Sequence, residues 1–139
     1  MTFQTRSEEE TIALGRKLAP ALQGAVLLIG NLGAGKTTLT KGIAEGKGIP
    51  AEAVSSPTFT LIHQYSEDLF HVDLYRLDEP REVETLGLND LFNSRALVLL
   101  EWAERFPELM PANRTEIYIQ ALPDETRKIE VTSTHPRRS

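Results

Sequence analysis

An apolar run, a glycine-rich loop and a helix follow one another between residues 25 and 45, and no other segment limits the fold as tightly. "AVLLI", Ala25 to Ile29, has the length and composition of a strand buried on both faces. "GNLGAGKT", Gly30 to Thr37, fits G-x-x-x-x-G-K-[ST] at every fixed position. Thr37 to Glu45 reads as a helix with Leu39 and Ile43 on one face, ended by Gly46, Gly48 and Pro50. A buried strand that passes through such a loop into a helix belongs in an α/β sheet.

Each residue type in the loop has a physical reason. Glycine lets the backbone turn tightly and approach oxygen atoms closely. The amides of Leu32, Gly33, Ala34, Gly35, Lys36, Thr37 and Thr38 are then expected to form an anion-binding nest at the positive end of the following helix. Lys36 is long enough to reach the outer phosphates of a nucleoside triphosphate, and the Thr37 hydroxyl suits Mg²⁺.

The remaining chain supplies more strands than helices. Ser7 with Glu10 matches a capping box, and Leu14, Leu18 and Leu22 extend an expected amphipathic helix from Ser7 to Leu22, broken by Gly24. "SSPTFTLIHQY", Ser55 to Tyr65, begins as a loop and becomes a strand. "LFHVDLYRL", Leu69 to Leu77, reads as a second strand, antiparallel to the first across Ser66 to Asp68. Pro80 to Phe92 reads as a helix interrupted at Gly87, "ALVLLE" as a buried strand ending in Glu101, and Trp102 to Phe106 as a turn or helix bounded by Pro107 and Pro111. "TEIYIQAL" and "RKIEVTST" alternate with period two around "PDE", a terminal hairpin. The expected fold is α/β: one P-loop NTPase-like domain over residues 1–139, with a mixed β-sheet flanked by helices and a C-terminal β-hairpin.

Composition removes several classes. The chain has no cysteine, which excludes thiol catalysis and zinc-thiolate sites and fits a reducing cytoplasm. No apolar run approaches the roughly 18 residues of a membrane span, and the polar, acidic Met1 to Glu10 does not read as a secretory signal. The net charge of −5 argues against a protein that grips nucleic acid by itself, since the basic tail "HPRRS" offers little to neutralise phosphates.

A phosphate loop needs carboxylates near its metal, usually at the C-terminal end of a buried strand. Asp73 and Glu101 are the candidates as metal ligand and as the group that orients water. Asp73 has the conventional residue type in a strand that reads as antiparallel; Glu101 has the better strand. Thr58 and Thr60 in "SPTFT" resemble a switch segment that senses an outer phosphate. His71, Asp73 and Tyr75 alternate, which places all three on one face, and Arg76 on the other. A lone histidine is more often structural than catalytic, and Trp102, the only tryptophan, suits a core or an exposed anchor equally.

Taken in order, "GNLGAGKTTLTKG", "SPTFTLIHQY", "LFHVDLYRL", "LGLND" and "LLEWAER" resemble the TsaE family, formerly YjeE. The resemblance spans nearly the whole chain and is more specific than the loop alone, because the H-x-D-x-Y-R and E-W elements are foreign to general P-loop enzymes. Asn31, where the family usually has Asp, and the short Ser66 to Asp68 link depart from the pattern. The resemblance implies a small cytoplasmic ATPase of tRNA threonylcarbamoyladenosine formation, using ATP and Mg²⁺. It implies action on the TsaB–TsaD complex, with tRNA reached only through that complex and no membrane partner. By motif it implies that Lys36 and Thr37 hold phosphates and Mg²⁺, that Glu101 is the metal-linked glutamate, that Asp73 is an essential acid, that Thr60 belongs to a switch-like loop and Trp102 to the E-W element, and that adenine sits between Ser7 and Arg127.

Two other functions use the same loop. A small-molecule P-loop kinase needs an acceptor pocket and an arginine-bearing lid; Arg76, Arg81 and Arg95 are available, but no long lid insertion is evident. A nucleotide-dependent interaction module would need no hydrolysis. The absence of an N-K-x-D guanine-reading element favours ATP over GTP.

Overall fold

A computed structural model describes residues 1–31, 33–54 and 61–134. Leu32, the "SPTFT" threonines Thr58 and Thr60, and the basic tail lie outside the described residues.

The chain opens with a strand that the sequence reading lacks, β1 (Thr2–Thr5), and continues into helix α1 (Glu8–Leu18). The Ser7 hydroxyl accepts the Glu10 N–H at 3.1 Å, and the Glu10 carboxylate accepts the Arg6 N–H at 2.9 Å. This reciprocal cap fixes where α1 starts. The helix is shorter than the expected Ser7–Leu22: Pro20 interrupts the α-helical ladder, and a 3-10 turn at Ala19–Ala21 carries the chain on. Strand β2 (Ala25–Ile29) and helix α2 (Lys36–Gly46) flank the glycine loop as expected.

Strands β3 (Ile62–Ser66) and β4 (Leu69–Asp73) form the expected antiparallel pair. Strand β4 ends at Asp73, not Leu77, so Tyr75 lies beyond the strand and is exposed. Short helices α3 (Pro80–Glu84) and α4 (Leu88–Phe92) meet at Gly87, whose φ of 72° breaks the helical run. Strand β5 (Leu97–Glu101) is buried along its length, and β6 (Arg114–Ala121) and β7 (Arg127–Thr134) form the terminal hairpin.

The strands make one seven-stranded mixed sheet in the order β1-β7-β6-β2-β5-β4-β3. Strand β2 lies between β5 and β6 and is parallel to both; β4 is parallel to β5. The antiparallel reading of the Asp73 strand is therefore half of its pairing, because β4 also joins the parallel core. In this register Leu28 pairs with Glu101 and Glu101 with Asp73, so both acids and the loop after β2 share one edge of the sheet. Ligands of open α/β sheets bind at that C-terminal edge.

Helices α1 and α2 cover one face of the sheet over Val26, Leu28, Leu97, Leu99, Ile117 and Ile129. They touch backbone to backbone: a Cβ on Gly42 would lie 2.1 Å from the Ile12 carbonyl, and one on Gly15 2.7 Å from that of Leu39. The opposite face is covered by the chain from Leu74 to Phe92 and from Trp102 to Met110, packed on Leu27, Val72, Val98 and Leu100. Among the described residues no helix is long and apolar enough to cross a membrane.

Candidate functional site

The glycine loop bends through left-handed backbone at Gly33 (φ 79°) and Gly35 (φ 113°), which side chains rarely adopt. Gly35 caps α2, and its carbonyl accepts the Leu39 N–H at 2.9 Å. The Ala34 N–H is already bonded to the Asn31 carbonyl at 3.0 Å, and its side chain lines a groove behind the loop beside β6. An open cavity of about 560 Å³ lies on the other side, lined by Gly33, Gly35, Lys36, Thr37, Thr38 and Glu101 of the sheet edge and by Ser7 and Arg127 farther out. The structure thus brings together most of the expected binding residues; Leu32 and Thr60 lie outside the described residues. Arg6, Glu8, Thr11 and Glu125 also line the cavity. They arrive there because β1 pairs with β7, a long-range contact that no local motif announces.

Lys36 is buried, and among the described residues its ammonium has no hydrogen-bond partner. Its Nζ sits over the Trp102 ring, 3.8 Å from the centroid, a cation–π contact. Burial lowers the Lys36 pKa from its ordinary value, against the pull of Glu101, Glu104 and Asp73. Trp102 is held by its neighbours: its backbone is left-handed (φ 66°), and Tyr75 packs on its ring at 5.1 Å between centroids. Arg105 braces Tyr75 by donating to the Tyr75 and Leu77 carbonyls, each at 2.7 Å. Glu104 has a buried Oε1 with no partner among the described residues, and the sequence reading missed it because nothing in "EWAER" separates it from a solvated helix acid.

The two expected acids differ. Glu101 is buried, faces the cavity, and its Oε2 lies 2.6 Å from His71 Nε2. Asp73 sits beside it in the sheet but does not line the cavity; its Oδ1 accepts the Tyr75 N–H at 2.9 Å. Burial raises the Asp73 pKa, and the Glu101 charge adds to the rise, while the Tyr75 N–H, His71 and Lys36 oppose it. His71 and Asp73 share the helix-covered face as expected, and Tyr75 leaves it because the strand has ended.

The donor set suits a phosphate chain and its cation. Lys36, whose buried ammonium has no hydrogen-bond partner among the described residues, the start of an eleven-residue helix and a glycine bend all line one cavity. Among the described residues no three His, Asp or Glu side chains converge as a protein-only metal cage. Thr37 and Glu101 could supply the sparse protein share of a Mg²⁺ shell, which phosphate oxygens and water would complete.

Fold and loop together define a small α/β protein of the P-loop type. The family model for threonylcarbamoyl adenosine biosynthesis protein TsaE matches residues 5–129, and the chain belongs to that family. Among its relatives, the tRNA threonylcarbamoyladenosine biosynthesis protein TsaE of Bacillus subtilis is 42% identical, with 99% of this chain and 88% of the relative covered. The protein of the same name from Haemophilus influenzae is 41% identical over 76% of this chain and 68% of its own. A crystal structure of Bacillus subtilis YdiB superposes with a TM-score of 0.79 at 34% identity, covering 97% of this chain and 86% of that one.

Proposed function

We propose that this protein binds and hydrolyses ATP in the cytoplasm as an accessory to tRNA threonylcarbamoyladenosine formation, acting on the TsaB–TsaD complex and meeting tRNA only through it. The observation that carries the ATP site is the buried Lys36 ammonium at the start of α2, without a hydrogen-bond partner among the described residues, on a side chain that lines, with Glu101, a cavity large enough for a nucleotide. The names of the relatives support the pathway, and the net charge of −5 favours contact with an enzyme complex over direct tRNA binding.

In this reading the loop amides and the α2 N-terminus hold the phosphates, and Lys36 leaves Trp102 to reach the outer ones. Thr37 and Glu101 hold Mg²⁺, which neutralises charge on the phosphate oxygens when bound. Glu101 orients water at the γ-phosphate, and Asp73 sets the electrostatic field behind it. Ser7 offers backbone to the adenine end, because its hydroxyl already caps α1, and Arg127 flanks the loop at Gly35. Phosphate release measured with and without TsaB–TsaD, with a pull-down of the complex in ATP, ADP or no nucleotide, tests this. Nucleotide-dependent capture and faster release with the complex are expected. Phosphate appearing on a small acceptor in place of water would establish a kinase, and no hydrolysis in either condition would leave a binding module.

A further inference from the structure

His71 is fully buried among apolar strands, a costly place for an imidazole unless both nitrogens are satisfied. Both are. Nε2 meets Glu101 Oε2 at 2.6 Å, and Nδ1 meets the Tyr65 hydroxyl at 3.1 Å. A neutral ring with its proton on Nε2 donates to the carboxylate and accepts from Tyr65, so one tautomer fits both contacts. The sheet register makes this possible. His71 pairs with Leu99 and Asp73 with Glu101, so His71 and Glu101 lie diagonally on one face. Tyr65 enters from the irregularity between Gln64 and Ser66 in β3, and its ring packs 6.0 Å from that of His71.

We propose that His71, backed by Tyr65, is the positioning residue that fixes the Glu101 carboxylate toward the cavity. One oxygen is bound to the imidazole, which sets the plane of the carboxylate and leaves the other oxygen for Mg²⁺ or its water. Partners of this kind orient a metal ligand, and losing one typically changes metal affinity or activity by about 10–100-fold. The inference rests on the ATP-site reading above.

Calorimetric titration with ATP, in Mg²⁺ and in EDTA, separates positioning from bulk stability. The variants are His71→Leu, His71→Gln and Tyr65→Phe, with ligand-free melting temperatures recorded. Wild type should bind more tightly in Mg²⁺. His71→Leu should lose about 10-fold or more of that Mg²⁺-dependent gain while its affinity in EDTA stays within about two-fold. His71→Gln, which restores an N–H donor, should recover most of it, and Tyr65→Phe should lose a smaller part. If His71→Leu does not fold, Tyr65→Phe, which removes only a hydroxyl, decides. Variants that keep the full Mg²⁺ dependence overturn the role of His71 and leave the ATP site standing. A wild-type protein that binds no ATP overturns both.

Discussion

Replacing Lys36 by methionine should stabilise the ligand-free protein. The ammonium is buried and has no hydrogen-bond partner among the described residues. A buried polar group left unpaired costs about 1–3 kcal/mol, and more when charged. The Trp102 ring returns up to about 2 kcal/mol, and Glu101, Glu104 and Asp73 return more. Burial still exceeds the attraction of the three carboxylates, since the pKa is lowered. Methionine keeps the length of the side chain and its contact with the indole. The net gain should be about 1 kcal/mol, or about 3 °C in Tm for a domain of this size. The sign fixes the pH dependence. A lysine whose folded pKa lies below 10.5 costs stability wherever it is charged, and that cost fades as pH rises from the folded value to 10.5. The Tm advantage of Lys36→Met should therefore be greatest below the lowered pKa and shrink toward pH 10.5. The same substitution should weaken ATP binding by about 1.5–3 kcal/mol, roughly 10- to 150-fold in Kd, through loss of a charge-assisted bond to phosphate. Thermal melts across pH, with and without ATP, measure both. A ligand-free Tm that falls on substitution, or a gain that does not change with pH, would refute the claim that Lys36 is strained in waiting for phosphate.

Glu101→Gln should lower ATP turnover by about 100-fold or more and weaken Kd for ATP in Mg²⁺ by about 10-fold, with Kd in EDTA little changed, read from phosphate release and calorimetry. Asp73→Asn keeps an acceptor for the Tyr75 N–H but removes the buried charge. The Asp73 pKa is raised in the fold, so its ionised form costs stability, and that cost grows as pH climbs from 3.8 through the raised value. The asparagine variant should melt higher than wild type at pH 7, with the difference narrowing toward pH 4. Gly42→Ala would place a methyl 2.1 Å from the Ile12 carbonyl, forcing α1 off α2; a loss of about 3 kcal/mol or more in denaturant unfolding is expected.

Much of this organisation was legible in the chain. The buried β2 run and the glycine loop were readable because their residues have purely local reasons: apolar continuity, turn chemistry and a capping glycine. Glu101 was readable as the end of a buried strand. What was not legible depends on pairing between distant segments. Strand β1 has four residues and no hydrophobic alternation to mark it; it exists because β7 offers an edge. The cavity residues Arg6 and Glu125 follow from that same pairing. Leu69 to Leu77 kept an apolar residue at every second or third position past Asp73, so periodicity alone did not reveal the end of β4; Leu74 and Leu77 pack instead on the opposite face of the sheet. His71 read as a lone histidine because its two partners, Tyr65 and Glu101, come from different strands.

The central claim is that the cavity beside Lys36 is a site for ATP with Mg²⁺. Calorimetric titration of the protein with ATP and Mg²⁺ tests it most directly. One ATP bound per chain, with the heat lost in Lys36→Ala, is the predicted result. No saturable heat in the wild type, or the same affinity in the variant, would contradict it.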